Sequence, residues 1–411
     1  MTIGCRWAWG LLAGAIALTV TGCTTVMSGA AVRDPGVTPG AVDPALLNAA
    51  NYPTHARPPL GAAGDSTIGA LVEARRMADY MTGPWEVDPA LLTPILFGEA
   101  PAATPLMSDG TGLILSRGSS QAEALGRLGL INGYVTGREV TGQRLLTNAV
   151  LRFADPAAAA AAAAELIHAN PRPDFLPPAA PPVPCPIPGH PDAQGASQTI
   201  DAADHQRWTT VQAFTPHGPF VLFQQADLIG SVDDAARLVG KTLDLQGPLI
   251  DTFVPTDLTQ FAALPRDPSG MLAMALPPPG DTDAVATNMT VGPRGMLNLL
   301  SNPTKTGKVY ADAGVDASVQ AAGWLHRARD AAGAAALLAD DVKSLREDGS
   351  VADAVPNLAG SACQKSTDKY SGDSAFTCVA ARGRYEFSVY GHVLKDVQQQ
   401  AAAQYLILAA A

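Results

Sequence analysis

Stretches in which apolar and polar residues alternate give way to stretches with apolar residues at helical spacing, and the chain does this twice in the same order. Leu145–Phe153 reads as a strand. Asp155 follows as a helix N-cap, Pro156 takes the first helical position, and an alanine run carries the helix to Glu165-Leu166-Ile167. A proline-dense connection, Pro171–Pro188, leads to two alternating segments, Trp208–Phe214 and Phe220–Gln225, which predict a hairpin around Thr215-Pro216-His217-Gly218. Ser231 then caps a helix over Val232–Leu245, with Ala235, Leu238, Val239 and Leu243 along one side.

The second half repeats this. Val319–Ala328 reads as a strand, Asp330 caps a helix over Ala331–Leu345, and Phe376–Ala381 with Tyr385–Tyr390 predicts a hairpin turning at Arg382-Gly383. A last helix runs from about Val393 to Leu408. Asp155 and Asp330, Cys185 and Cys363, and Gly218 and Gly383 recur at similar offsets, which suggests internal duplication. An earlier helix starts at Asp65-Ser66-Thr67 and stops at Gly83-Pro84. Prolines break Val87–Thr104. The pattern predicts an α+β protein of two related domains, residues 61–258 and 259–411, each a small, mainly antiparallel sheet covered by helices on one face.

The N-terminus has a different pattern. Trp7–Val20 is an uncharged apolar run behind Arg6, too short to span a bilayer, and it ends at Val20-Thr21-Gly22-Cys23. This predicts a lipoprotein signal peptide over residues 1–22. Diacylglycerol on Cys23 would supply two chains, enough for stable attachment to the membrane. Residues 23–60, rich in Gly, Pro, Ala and Thr, read as a flexible tether. The expected location is extracytoplasmic, anchored by lipid.

Composition narrows the partners. With 27 basic and 38 acidic side chains, a net charge of −11 and no basic cluster beyond Arg75-Arg76, the chain is not expected to bind nucleic acid. In an oxidising envelope Cys363 and Cys378, which bracket a polar stretch, are expected to form a disulfide and to leave Cys185 over.

Motifs for catalysis, cofactors and metals are thin, so no catalytic, cofactor or metal-binding residue is assigned. There is no G-x-S-x-G, H-E-x-x-H or paired C-x-x-C. Asn302-Pro303-Thr304-Lys305-Thr306-Gly307-Lys308 lacks the upstream glycine of a phosphate loop. His190, Asp192, Asp204 and His205 match no common ligand spacing, and His217 belongs to a turn. Asp233-Asp234 and Asp340-Asp341 fall on predicted helices. Trp208, Phe214, Phe220, Phe223, Phe376, Tyr385, Phe387 and Tyr390 would give each hairpin an apolar face, able to pack on helices or to line a ligand pocket.

Asn51-Tyr52-Pro53-Thr54, Arg76-Met77-Ala78, Gly83-Pro84-Trp85-Glu86-Val87-Asp88-Pro89, and the ending from Gly383-Arg384-Tyr385 to Asp396-Val397-Gln398-Gln399-Gln400-Ala401-Ala402-Ala403-Gln404-Tyr405 carry a resemblance over nearly the whole mature chain. With its lipobox, tether and two α/β copies, the chain resembles mycobacterial-type secreted lipoproteins of uncharacterised function. The order of elements is also similar to that of extracellular sensor domains of actinobacterial serine/threonine kinases. The resemblance brings no catalytic residues. The expectation is a non-enzymatic envelope lipoprotein binding a ligand such as a lipid or cell-wall glycolipid. The alternatives are a protein–protein adaptor and a hydrolase with dispersed catalytic residues.

Overall fold

The computed structural model describes residues 42–411 apart from 98–99, 102, 108–119, 170–180, 202–205, 279, 281–287 and 368–371. The signal, Cys23, most of Pro171–Pro188, Asp204 and His205 therefore lie outside the described residues. No helix among those described is long and apolar enough to cross a membrane.

Two antiparallel sheets carry the α+β fold. The first contains β1 (Thr93–Pro94), β2 (Ala103–Met107), β3 (Asn132–Val140), β4 (Arg144–Arg152), β5 (Val183–Pro184), β6 (Gln194–Asp201), β7 (Arg207–His217) and β8 (Phe220–Leu228). Its order is β1-β3-β4-β8-β7-β6-β5, with β2 also paired to β3. The second contains β9 (Met289–Val291), β10 (Ala317–Gln320), β11 (Gly323–Arg327), β12 (Ser350–Ala352), β13 (Ala362–Thr367), β14 (Ser374–Arg382) and β15 (Tyr385–Gly391), in the matching order β9-β10-β11-β15-β14-β13-β12.

The helices repeat as well. α1 (Ser66–Met77) precedes both sheets. α2 (Ser120–Arg127), α3 (Pro156–Leu166) and α4 (Val232–Ile250) take the same places around the first sheet that α6 (Pro303–Ala313), α7 (Ala331–Asp348) and α8 (Leu394–Ala410) take around the second. A short helix, α5 (Pro293–Leu297), lies just before α6. The caps are those the sequence shows: Asp155 accepts from the amide of Ala158 and Asp330 from that of Gly333, both at 2.8 Å, and Ser231 with Asp234 closes a capping box on α4.

Three expectations are corrected. Val319–Ala328 is not one strand but the end of β10, a reversal at Ala321-Ala322, and β11. Two alanines carry the reversal and Pro, Asn and Asp are absent from it, so the pattern does not show it. Both hairpins turn later than expected, at Gly218-Pro219 and Gly383-Arg384, because the first central position needs a positive φ, +55° and +56°, which glycine adopts freely. The stretch read as a tether is held down from residue 42: the Tyr52 hydroxyl donates to Asp396 at 2.8 Å, the Asn357 side chain to the Leu46 carbonyl at 2.9 Å, and Arg57 to the carbonyls of Leu272 and Ala273.

The apolar cover extends beyond one face of the first sheet. Leu146, Val150 and Leu222 pack with α4, while Ala149, Leu151 and Val221 on the same strands pack with α2 and α3. The first of these clusters continues into the second half through Met289, Met296, Tyr310 and Leu337. Phe214, Phe220 and Phe387 are buried in these cores. Cys363 and Cys378, directly opposed on β13 and β14, form a disulfide, and Cys185 is a free, buried thiol.

Candidate functional site

Ser318, His326 and Glu386 stand abreast on three neighbouring strands, β10, β11 and β15, and the next row holds Trp324 opposite Ser388. Over these rows lie α6, bringing Lys305 and Tyr310, and α7, bringing Leu337, Asp340, Asp341 and Ser344. Most of these side chains, with Leu300–Asn302 at the rim, enclose a cavity of about 450 Å³.

The polar groups behind it are deeply buried. His326 is 6% exposed, Tyr310 4% and Glu386 0%. The Ser318 hydroxyl lies 2.8 Å from His326 Nδ1, and the Tyr310 hydroxyl lies 3.2 Å from the same ring. Burial pushes the imidazole pKa down to about 4, so it is neutral at pH 7, and lifts that of the Tyr310 phenol well above its ordinary range. No N–H or O–H among the described residues donates to either oxygen of Glu386. Its acidic neighbour is Asp341. Burial first, then Asp341, raises the Glu386 carboxyl well above the usual range, and burial lifts Asp341 to about 6. Two such carboxyls side by side are held together by a shared proton. Lys305 offsets the rise at Asp341 only in part, and its ammonium is engaged by Asp340 at 3.0 Å and Ser344 at 2.9 Å.

The first half supplies an internal comparison. Phe220 and Tyr385 both follow their hairpin turns, and each pairs with an arginine, Arg152 or Arg327. This register sets Gly133, Leu151 and Val221 where the second sheet has Ser318, His326 and Glu386, and Ala149 with Phe223 where it has Trp324 with Ser388. Leu166 lies as far beyond the cap Asp155 as Asp341 lies beyond Asp330, and Leu125 as far before β3 as Tyr310 before β10. Leu125, Ala149, Leu151, Leu166 and Val221 form one packed apolar core. The same fold is thus filled with hydrocarbon in one copy and with titratable groups around a cavity in the other.

The pH dependence of stability follows from these shifts. The native state keeps a proton on Glu386 that the unfolded chain has lost, so stability falls as pH rises from the ordinary carboxylate range through the raised value. His326 acts oppositely: its cost appears as pH falls below 6.5 and grows until about 4. Glu386→Gln removes the first effect and keeps the second, so it should gain stability relative to the wild type between about pH 5 and pH 8. Urea midpoints at the two pH values check this, and a constant difference would refute a protonated Glu386.

The rim is fixed by the first half. Asp79 accepts from the amides of Gly292 and Gly295 at 2.7 and 2.8 Å, at the N-terminus of α5. Arg138, fully buried, donates from Nη2 to the carbonyls of Leu297, Asn298 and Leu300 at 3.0, 3.0 and 2.6 Å, at the other end. Its Nη1 donates to the Leu92 carbonyl, and its guanidinium carbon lies 4.9 Å from the Trp85 ring centroid. An acid at the amino end and a base at the carboxyl end complement the helix dipole. The segment they hold runs directly into Leu300–Asn302, and the Asn302 side chain caps α6.

The sequence singled out other residues, which the structure does not bring together. His190 bonds the Gly240 carbonyl and Asp244, and His217 lies 2.6 Å from Asp251. Among the described residues no group of three His, Cys, Asp or Glu side chains is placed to hold a metal ion. Asn302–Lys308 is a helix start rather than a phosphate loop. Asp340-Asp341 is the exception: it lies at the cavity. Asp341 stands four residues beyond buried Leu337 on one helix stripe, and Glu386 sits between Tyr385 and Phe387 in an apolar strand. An acid in an apolar stripe is the signal by which the sequence marks both residues.

No curated protein matches the chain. The crystal structure of the extracellular domain of PknH from Mycobacterium tuberculosis aligns with 14% identity and a TM-score of 0.29, over 43% of this chain and 96% of that one. Residues 60–266 match the N-terminal part, and residues 271–411 the C-terminal part, of a domain of unknown function, DUF7373, and the chain belongs to that family.

Proposed function

We propose that this is a non-enzymatic binding protein of the cell envelope, anchored by diacylglycerol on Cys23, which takes a small ligand into the cavity of its second half. One observation carries the reading: titratable side chains surround a cavity at positions where the first half packs aliphatic ones. Burying ionisable groups costs more than burying hydrocarbon, so their presence on a fold that tolerates leucine there speaks for use. For the lipid or glycolipid expected from sequence, this favours recognition of a polar head group. The hairpin faces expected to take an acyl chain contribute Phe214, Phe220 and Phe387 to packed cores.

A second reading, hydrolysis through Ser318 and His326, is favoured by their 2.8 Å contact. Against it, Ser318 is fully buried and is not among the residues lining the cavity. The test is native mass spectrometry of the protein from its own envelope, beside a variant carrying Tyr310→Phe, His326→Leu, Asp341→Leu and Glu386→Val. The wild type should carry a stoichiometric small molecule that the variant lacks. A molecule retained by the variant, or none on either, overturns the proposal.

A further inference from the structure

We propose that the ligand of this cavity is a small organic cation, a primary ammonium seated between the carboxyls of Glu386 and Asp341. This rests on the cavity being a binding site and names the chemistry that fits it.

Glu386 is the strongest evidence. Among the described residues no N–H or hydroxyl reaches either of its oxygens, and its polar neighbour is another acid, Asp341, which is unusual because buried polar groups are nearly always paired with a donor. It lines the cavity beside Asp341. An ammonium has three donors and no acceptor, so one such group can replace the shared proton and give each carboxylate a charge-assisted bond.

The surroundings agree. On α6 the ammonium of Lys305 is already bound to Asp340 and Ser344, and Tyr310 is a neutral phenol. On β11 His326 is neutral, and on α7 Glu347 adds another carboxylate to the lining. The field is negative and excludes anions. A metal ion fits less well: the cavity is far larger than an ion, and no three-ligand cluster is placed to hold one among the described residues. Trp324, Leu300 and Val309 supply an aromatic and aliphatic wall for the organic part of the ligand.

The experiment is calorimetric titration of the whole chain with 1,4-diaminobutane and glucosamine, with 1,4-butanediol and glucose as uncharged counterparts and magnesium and zinc ions as controls. At least one amine should bind and its uncharged counterpart should not. Because the ammonium displaces the shared proton, affinity should rise about tenfold or more from pH 6 to pH 8, with proton release. Glu386→Gln and Asp341→Asn, verified as folded by circular dichroism, should each weaken binding about tenfold or more. Failure of both amines at millimolar concentration overturns the proposal, as does equal binding of the uncharged counterparts. So does tighter binding of a metal ion that is lost in the same variants. If the amines fail while native mass spectrometry finds a neutral or anionic molecule that the four-residue variant loses, the binding site stands and the cation falls. If both experiments fail, both readings fall.

Discussion

Replacing Arg138 with Met should lower folding stability by about 3–5 kcal/mol, the range for breaking a buried charged network. The side chain is fully buried with no acidic partner among the described residues, and desolvation pulls its pKa down to about 10. Four carbonyls, of Leu92, Leu297, Asn298 and Leu300, carry the charge instead. Met matches much of the volume but leaves those carbonyls without their donor. Arg138→Lys should fall between the two, since a single ammonium cannot reproduce the planar fork that reaches both Leu92 and the end of α5. Urea unfolding measures the loss, and amide exchange at Leu300–Asn302 should show the rim opening. A loss below about 1 kcal/mol would mean that the carbonyls find other donors.

The four-residue variant used above, Tyr310→Phe with His326→Leu, Asp341→Leu and Glu386→Val, should instead be more stable than the wild type at pH 7, by about 1–4 kcal/mol, while losing ligand binding completely. Exchanging buried ionisable groups for hydrocarbon of similar volume is often stabilising, and the packed core of the first half shows that this fold accepts it. Loss of the dyad enlarges the gain as pH rises toward 8, and loss of His326 enlarges it as pH falls from 6.5 toward 5, so the gain should persist at both ends of this range. A variant less stable than the wild type at both pH values would show that the polar set is satisfied without a ligand. Stability gained at the cost of function is the usual pattern where a site is built from buried polar groups.

Much of the fold is legible in the sequence because its signals are local. Asp155-Pro156, Ser231 with Asp234, and Asp330 satisfy amides within one turn of their own helices, so the helix starts are readable without tertiary information. Alternation places the two hairpins, and two cysteines bracketing a polar stretch read as the disulfide. The reversal inside Val319–Ala328 is not readable, because two alanines carry it in place of the usual turn residues. The seating of residues 42–60 is not readable either, since it depends on Asp396, Leu272 and Asn357, far away in the chain.

The site divides in the same way. By itself the sequence determines two similar α+β copies, their helix caps, the hairpins and the cysteine pair, because each rests on residues close together or on a repeated pattern. Only the tertiary structure decides that Tyr310, His326, Asp341 and Glu386, drawn from two helices and two strands, meet at one cavity. Only it shows that Leu125, Leu151, Leu166 and Val221 fill the corresponding place in the other copy. The meaning of a buried carboxyl lies in what faces it across the sheet and from the helix above, and strand register and helix packing set those neighbours.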